Sequence, residues 1–240
     1  MNAYKFLAAG AVGRFSDHAW PQPTESGPGA WVDAGAPLTD CLHGVHAVRA
    51  ADMLDWIDDE LWEIELDGEI VEQDSMLVAA RGRLVRRVEA WDEAAARDFA
   101  DACAWRTRKH ALSALRRIGL TEEAERLVAA AELTEMQAVA GQATVARESP
   151  AAELTALAAD SVSLARGRRP EAWRADPATL GAAPAQTPGG VAANLGFVVA
   201  HTAGREAVAE AGTEDAYGGG FAEERAWQLA WLTDRLALRD

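Results

Sequence analysis

The chain has 240 residues, 49% of them apolar and 25% charged, a balance that excludes a disordered or fibrous protein and suffices for a substantial core. Its formal net charge of −15 sets a repulsive field against polyanions and anionic membrane surfaces, so no nucleic-acid partner is expected. No run of about 18 apolar residues occurs and the opening MNAYKFLAAGAVGRF lacks a secretory pattern, which predicts a cytoplasmic protein with no membrane partner.

The expected fold class is α+β. An N-terminal antiparallel strand layer with a short helix, residues 1–91, precedes a helical part of about five helices, residues 92–240; the two form separate domains or one compact body. Residues 18–40, HAWPQPTESGPGAWVDAGAPLTD, are too rich in Pro and Gly for regular structure and read as a long loop, either a binding loop or a surface excursion. Most of the nine tryptophans are expected in the core. Trp20 and Trp31 flank the loop and are candidate walls of a ligand cleft.

Cys41, His43 and His46 follow within six residues, and His18 lies upstream across the loop. A thiol and imidazoles in this density supply a nucleophile, an acid or a base. The C-x-H-x-x-H spacing matches no regular zinc pattern and no second pair completes four ligands, so no metal site is expected. The competing structural reading has Gly44 in a tight turn, Val45 and Ala47 inward, and His46 hydrogen-bonded. Cys41 and Cys103 are expected as reduced thiols.

Residues 51–59 read as a short helix with Met53, Leu54 and Ile57 inward. Residues 61–67 alternate Trp62, Ile64 and Leu66 with Glu63, Glu65 and Asp67, the pattern of a half-buried strand, and Asp67-Gly68 signals a turn. A second strand spans 76–88. From Asp52 to Asp74 there are eleven acidic residues and no basic one, whereas the second strand carries Arg81, Arg83, Arg86 and Arg87. Antiparallel pairing therefore sets Glu63 and Glu65 beside Arg81, Arg83 or Arg86 and makes those arginines structural.

Helices are expected at about 92–118, 121–147, 151–166, 189–211 and 220–238, with a long surface connection over 167–188. On the first, Phe99, Cys103, Arg106 and His110 share one face, which reads as a pocket border or as a partly buried packing surface. His201, among small residues, requires a partner such as a carboxylate. Gly218, Gly219 and Gly220 read as the flexible entry to the last helix or as an anion-binding turn. That helix places Leu229, Leu232 and Leu236 on one face with Trp227 and Trp231 beside them.

Cys41, Gly44, His46 and Ala47, followed by Trp56 and LWEIELDGE, resemble uncharacterised proteins of high-GC actinobacteria. They are also similar to a phage-associated domain of unknown function with a Cys-x-x-Gly-Phe-His-Ala core, in which Val45 replaces the aromatic residue. The resemblance covers roughly residues 4–105, and FAEERAWQLAWL resembles the endings of the actinobacterial proteins; it implies a shared fold and no mechanism. The order of Gly-containing turn, short helix and strand is similar in layout to ADP-ribosyltransferase-like folds, but that family's histidine, tyrosine or serine, and glutamate find no matching positions here.

Two functions are weighed. In the first, an enzyme or enzyme-derived protein binds a small polar or nucleotide-like ligand, with His46 as acid/base, His43, Cys41 and His18 in support, and Trp20 or Trp31 as a cleft wall. In the second, a noncatalytic module binds a partner protein or forms a homodimer through the C-terminal helices. No cofactor is identified by any motif.

Overall fold

In the computed structural model the residues described are 2–34, 37–38, 43–143, 150–168 and 186–238. Five antiparallel strands form one sheet: β1 (Asn2–Leu7), β2 (Val32–Asp33), β3 (Val45–Ala47), β4 (Glu60–Glu72) and β5 (Leu77–Arg87). Their order is β1-β4-β5-β2, and β3 also pairs with β5. The helices that follow are α1 (Glu93–Arg117), α2 (Thr121–Ala129), α3 (Leu133–Gln142), α4 (Pro150–Ala165), α5 (Pro188–Ala211) and α6 (Tyr217–Leu236). The α+β class is thus as the sequence pattern indicates. No helix among the described residues is long and apolar enough to cross a membrane.

The chain groups into two units. One comprises Met1–Ala96, Pro188–Ala193 and Leu229–Asp240, the other Arg97–Thr187 and Asn194–Gln228.

In the first unit, alternation along the strands sends Ala3, Leu7, Trp62, Ile64, Leu66, Leu84, Val45 and Ala47 into one core with Ala11 and Trp20. Residues Met53, Leu54 and Ile57 are buried as expected, although Ala50–Trp56 forms a 3-10 helix. Trp91 is wholly buried, donates to the Asp58 carbonyl at 2.8 Å and meets Phe6 edge-on. The buried carboxylate of Glu60 accepts from the backbone N–H groups of Gly10 and Ala11, at 3.1 and 3.0 Å, and from the Trp62 indole at 3.1 Å.

Lys5, opposite Trp62 on β1, donates to the His46 carbonyl and lies 5.0 Å from the Trp20 ring centroid. Burial pushes its ammonium down to about 8.

The other sheet face carries the charges. Glu63 pairs with Arg86, Glu65 with Arg83 at 2.6 Å, and Asp67 with Arg81, so the arginines are ladder partners as their spacing indicates. Asp67-Gly68 is not the hairpin turn. Gly68, with φ +79°, absorbs a register shift between Asp67 and Ile70, and β4 runs on to a turn closed by the Gln73 N–H on the Met76 carbonyl at 2.9 Å.

The helix expected over 121–147 is two helices. Arg108 of α1 takes the Ala130 carbonyl at 2.9 Å, and Glu132 with Glu135 forms a capping box that starts α3 afresh. Residues 144–149 and most of the expected 167–188 connection lie outside the described residues. The glycine run is not an entry turn either: Gly218, Gly219 and Gly220 form the first turn of α6.

Candidate functional site

Of the N-terminal residues singled out, Cys41 lies outside the described residues. His18 and His43 are exposed, and His18 contacts Trp20 edge-on with centroids 5.7 Å apart. His46 sits half-buried in β3, opposite Val78. Because Val45 and Ala47 enter the core, His46 projects from the other sheet face. Trp20 is a core residue on the Val45 side, 7% exposed. Trp31 lies on the face of the ion-pair ladder, stacked 4.7 and 4.5 Å from the guanidinium carbons of Arg81 and Arg83. The sheet therefore holds His18 and Trp20 apart from His46 and Trp31 and does not gather them around one cleft.

The second unit brings together a different set. On α1, Cys103, Arg106 and His110 follow at helical spacing and share one face. Beneath them Thr107 and Ser161 share a buried hydroxyl contact at 2.9 Å that ties α1 to α4. Facing them are two acidic side chains, Glu206 on α5 and Glu224 on α6. Small residues let these helices approach: a Cβ on Gly220 would lie 2.6 Å from the Ala203 carbonyl oxygen and 2.8 Å from the Ala207 Cβ. Glu224 follows Gly220 by one turn, so the close crossing delivers its carboxylate beside Glu206.

His110 joins the two acids. Its Nδ1 is hydrogen-bonded to Glu206, and its Nε2 stands 3.9 Å from Glu224 Oε2, too far for a hydrogen bond. The Glu224 side chain is 1% exposed and is held by a bidentate fork from Arg106, with contacts of 2.6 to 3.2 Å, while Lys109 Nζ lies 3.8 Å away. Trp227, one turn beyond Glu224, covers the Arg106 guanidinium at 4.2 Å.

These groups border a cavity of about 160 Å³. Lys109 and His110 form one side, Glu206, Glu210, Glu223 and Glu224 the other, and Ala203, Ala207 and Gly220 the apolar floor. The His110 side chain is 3% exposed, yet its Nε2 has no hydrogen-bond partner.

Burial alone would push the His110 imidazole down, but the carboxylates of Glu206 and Glu224 outweigh it and hold the group above its ordinary value. The same contacts, with Arg106 on Glu224, overcome burial at both acids and hold them below the usual carboxylate range. Burial, reinforced by Glu224, pushes the Cys103 thiol well up, so it is no ready nucleophile. Glu206 fixes the ring through Nδ1 and leaves Nε2 buried on the Glu224 side. An imidazole is a proton donor when charged and an acceptor when neutral.

The expected partner for His201 is present but is a hydroxyl, Tyr217 at 3.0 Å, and the carboxylate pairing falls to His110. Spacing alone reaches the α1 stripe of this site. It does not reach Glu206 and Glu224, whose bonds span 96 and 118 residues. The available hint is acidic residues set among alanines and glycines on the last two helices.

Comparison of the chain with protein-family models, with curated proteins and with solved structures finds no match.

Proposed function

We propose that this is a cytoplasmic protein whose second unit binds a small polar ligand in the Glu-rich cavity, with His110 as its acid–base group. The observation that carries the reading is a buried imidazole that borders the cavity, anchored at Nδ1 by Glu206 and left without a hydrogen-bond partner at its buried Nε2. A purely structural histidine at this depth is satisfied at both nitrogens. The reading keeps histidine chemistry on a small ligand and moves it from the residue 18–46 region to α1. Arg106 and Glu206 are positioning residues: one holds Glu224, the other the ring.

The test is a screen of small polar fragments followed by NMR at the His110 ring of the full chain, repeated on His110→Gln. Fragments that shift the His110 resonance and lose binding in the variant support the reading. Fragments that bind equally well to His110→Gln, or a screen in which none touches the ring, rule it out.

A protein-contact reading, partner or homodimer, draws on a different feature. Trp227 and Trp231 are half-buried on α6, but Phe197 on α5 is 56% exposed and meets Phe221 edge-on with centroids 5.9 Å apart. Sedimentation of the wild type and of Phe197→Ser separates the cases: self-association lost in the variant supports this surface, and identical monomers exclude a homodimer.

A further inference from the structure

We infer that His110 is a pH-sensitive latch: its protonated ring holds the α5–α6 crossing closed, and deprotonation loosens that crossing. The device lies within the second unit and needs no occupant of the cavity.

Three helices meet at the ring, with His110 carried by α1, Glu206 by α5 and Glu224 by α6. Nδ1 is hydrogen-bonded to Glu206, and Nε2, buried and without a hydrogen-bond partner among the described residues, stands 3.9 Å from Glu224 Oε2. Both nitrogens thus have a carboxylate for a neighbour. An imidazolium carries a proton on each nitrogen and suits both, whereas a neutral ring has one proton for two sites. With that proton on Nδ1 the bond to Glu206 survives and a lone pair is left beside Glu224; with the proton on Nε2 the lone pair opposes Glu206 instead. Either tautomer loses an interaction that water is poorly placed to replace, because the His110 and Glu224 side chains are 3% and 1% exposed.

Charge gives the deprotonation its mechanical sense. The imidazolium is the cation between two carboxylates that ride on different helices. From α1, Arg106 and Lys109 answer Glu224, and Ser113 adds a hydrogen bond to Glu206. Glu210 of α5 and Glu223 of α6 border the same cavity and add negative charge to both helices. Loss of the imidazolium therefore leaves like charges facing one another across a crossing so close that a Cβ on Gly220 would lie 2.6 Å from the Ala203 carbonyl oxygen. Burial opposes the charged ring, but the carboxylates outweigh it and hold the group above its ordinary value. The latch is accordingly closed below about pH 6.5 and loosens as pH rises through the folded-state midpoint.

The experiment is amide hydrogen exchange of the full chain from about pH 6 to about pH 9, each rate referred to the intrinsic rate at that pH, with the His110 ring titrated in parallel by NMR. Protection over 203–210 and 217–224 is expected to be level below about pH 6.5, to fall by up to about tenfold per pH unit above it, and to level again past the ring's midpoint, while β4 and β5 keep theirs. His110→Gln is expected to abolish the fall. Glu206→Gln, which leaves the ring in place, is expected to shrink it in step with a lower midpoint. Flat protection at the crossing across the whole range overturns the latch. So does an equal fall in β4 and β5, which marks a change in global stability and not a local opening, and so does a fall that persists in His110→Gln.

Discussion

At the scale of single residues, two titratable groups, one buried and one half-buried, carry opposite consequences. His110 has its folded-state value raised, so its contribution to stability is fully present below the unfolded value of about 6.5 and is lost as pH rises through the folded one. NMR titration is expected to place its midpoint above 6.5, and Glu206→Gln to lower it, since the neutral amide removes a favourable charge. A midpoint unmoved by that substitution would show that Glu206 is not the group that raises it. Lys5 behaves in the other sense. Its value falls from 10.5 to about 8, so the folded state carries a penalty that is full at pH 7 and eases as pH rises from about 8 toward 10.5. Lys5→Met keeps the stem between Trp20 and Trp62 and removes the charge. Chemical denaturation at pH 7 is expected to show a gain of about 1–2 kcal/mol, less than the full desolvation penalty because the bond to the His46 carbonyl is also lost. A loss of stability would mean that this bond and the Trp20 contact outweigh desolvation.

At the scale of elements, the α5–α6 crossing is the part on which the cavity depends. Gly220→Ala forces a methyl to within 2.6 Å of the Ala203 carbonyl oxygen, backbone that cannot rotate away, so the helices must separate. The expected cost is about 1–3 kcal/mol by denaturation, with a displaced His110 signal because Glu206 and Glu224 ride on the two helices. An unchanged signal would uncouple the crossing from the site. The β4–β5 ladder was legible in the sequence because alternation and charge act over neighbouring residues: Glu63 and Glu65 announce partners that Arg86 and Arg83 supply. Three other features were not legible, each for a local reason. Asp67-Gly68 has hairpin chemistry, but long-range pairing keeps β4 extended and uses the glycine as a bulge. The break between α2 and α3 falls in alanine- and glutamate-rich sequence with good helix propensity and is set by Arg108 from another helix. The strand Asn2–Leu7 alternates too weakly to declare itself, because Tyr4 and Phe6 on one face and Ala3 and Leu7 on the other are all buried. The site divides the same way: one helix face is visible as spacing, and the acids that complete it come from helices remote in the chain.

At the scale of the whole molecule, charge is organised into pairs without being balanced. The ladder on the sheet face and the forks on Glu224 and Arg205 engage many acids, yet the total remains −15. The ladder pairs are largely exposed and each contributes little, whereas the excess acts across the surface. Raising ionic strength from about 10 mM to 150 mM shortens the screening length from about 30 to 8 Å and is expected to raise the melting temperature at pH 7. A fall would show that the pairs outweigh the repulsion. Several tryptophans join this economy of charge: Trp20, Trp31, Trp105 and Trp227 each lie against a lysine or arginine.

The cations themselves are unevenly chosen. Lys5 and Lys109 are the only lysines in the sequence, against many arginines, and each unit contains one of them. Amine-directed labelling of this protein is thus addressable by unit. A fluorophore or cross-linker on Lys109 marks the cavity rim, and one on Lys5 marks the sheet.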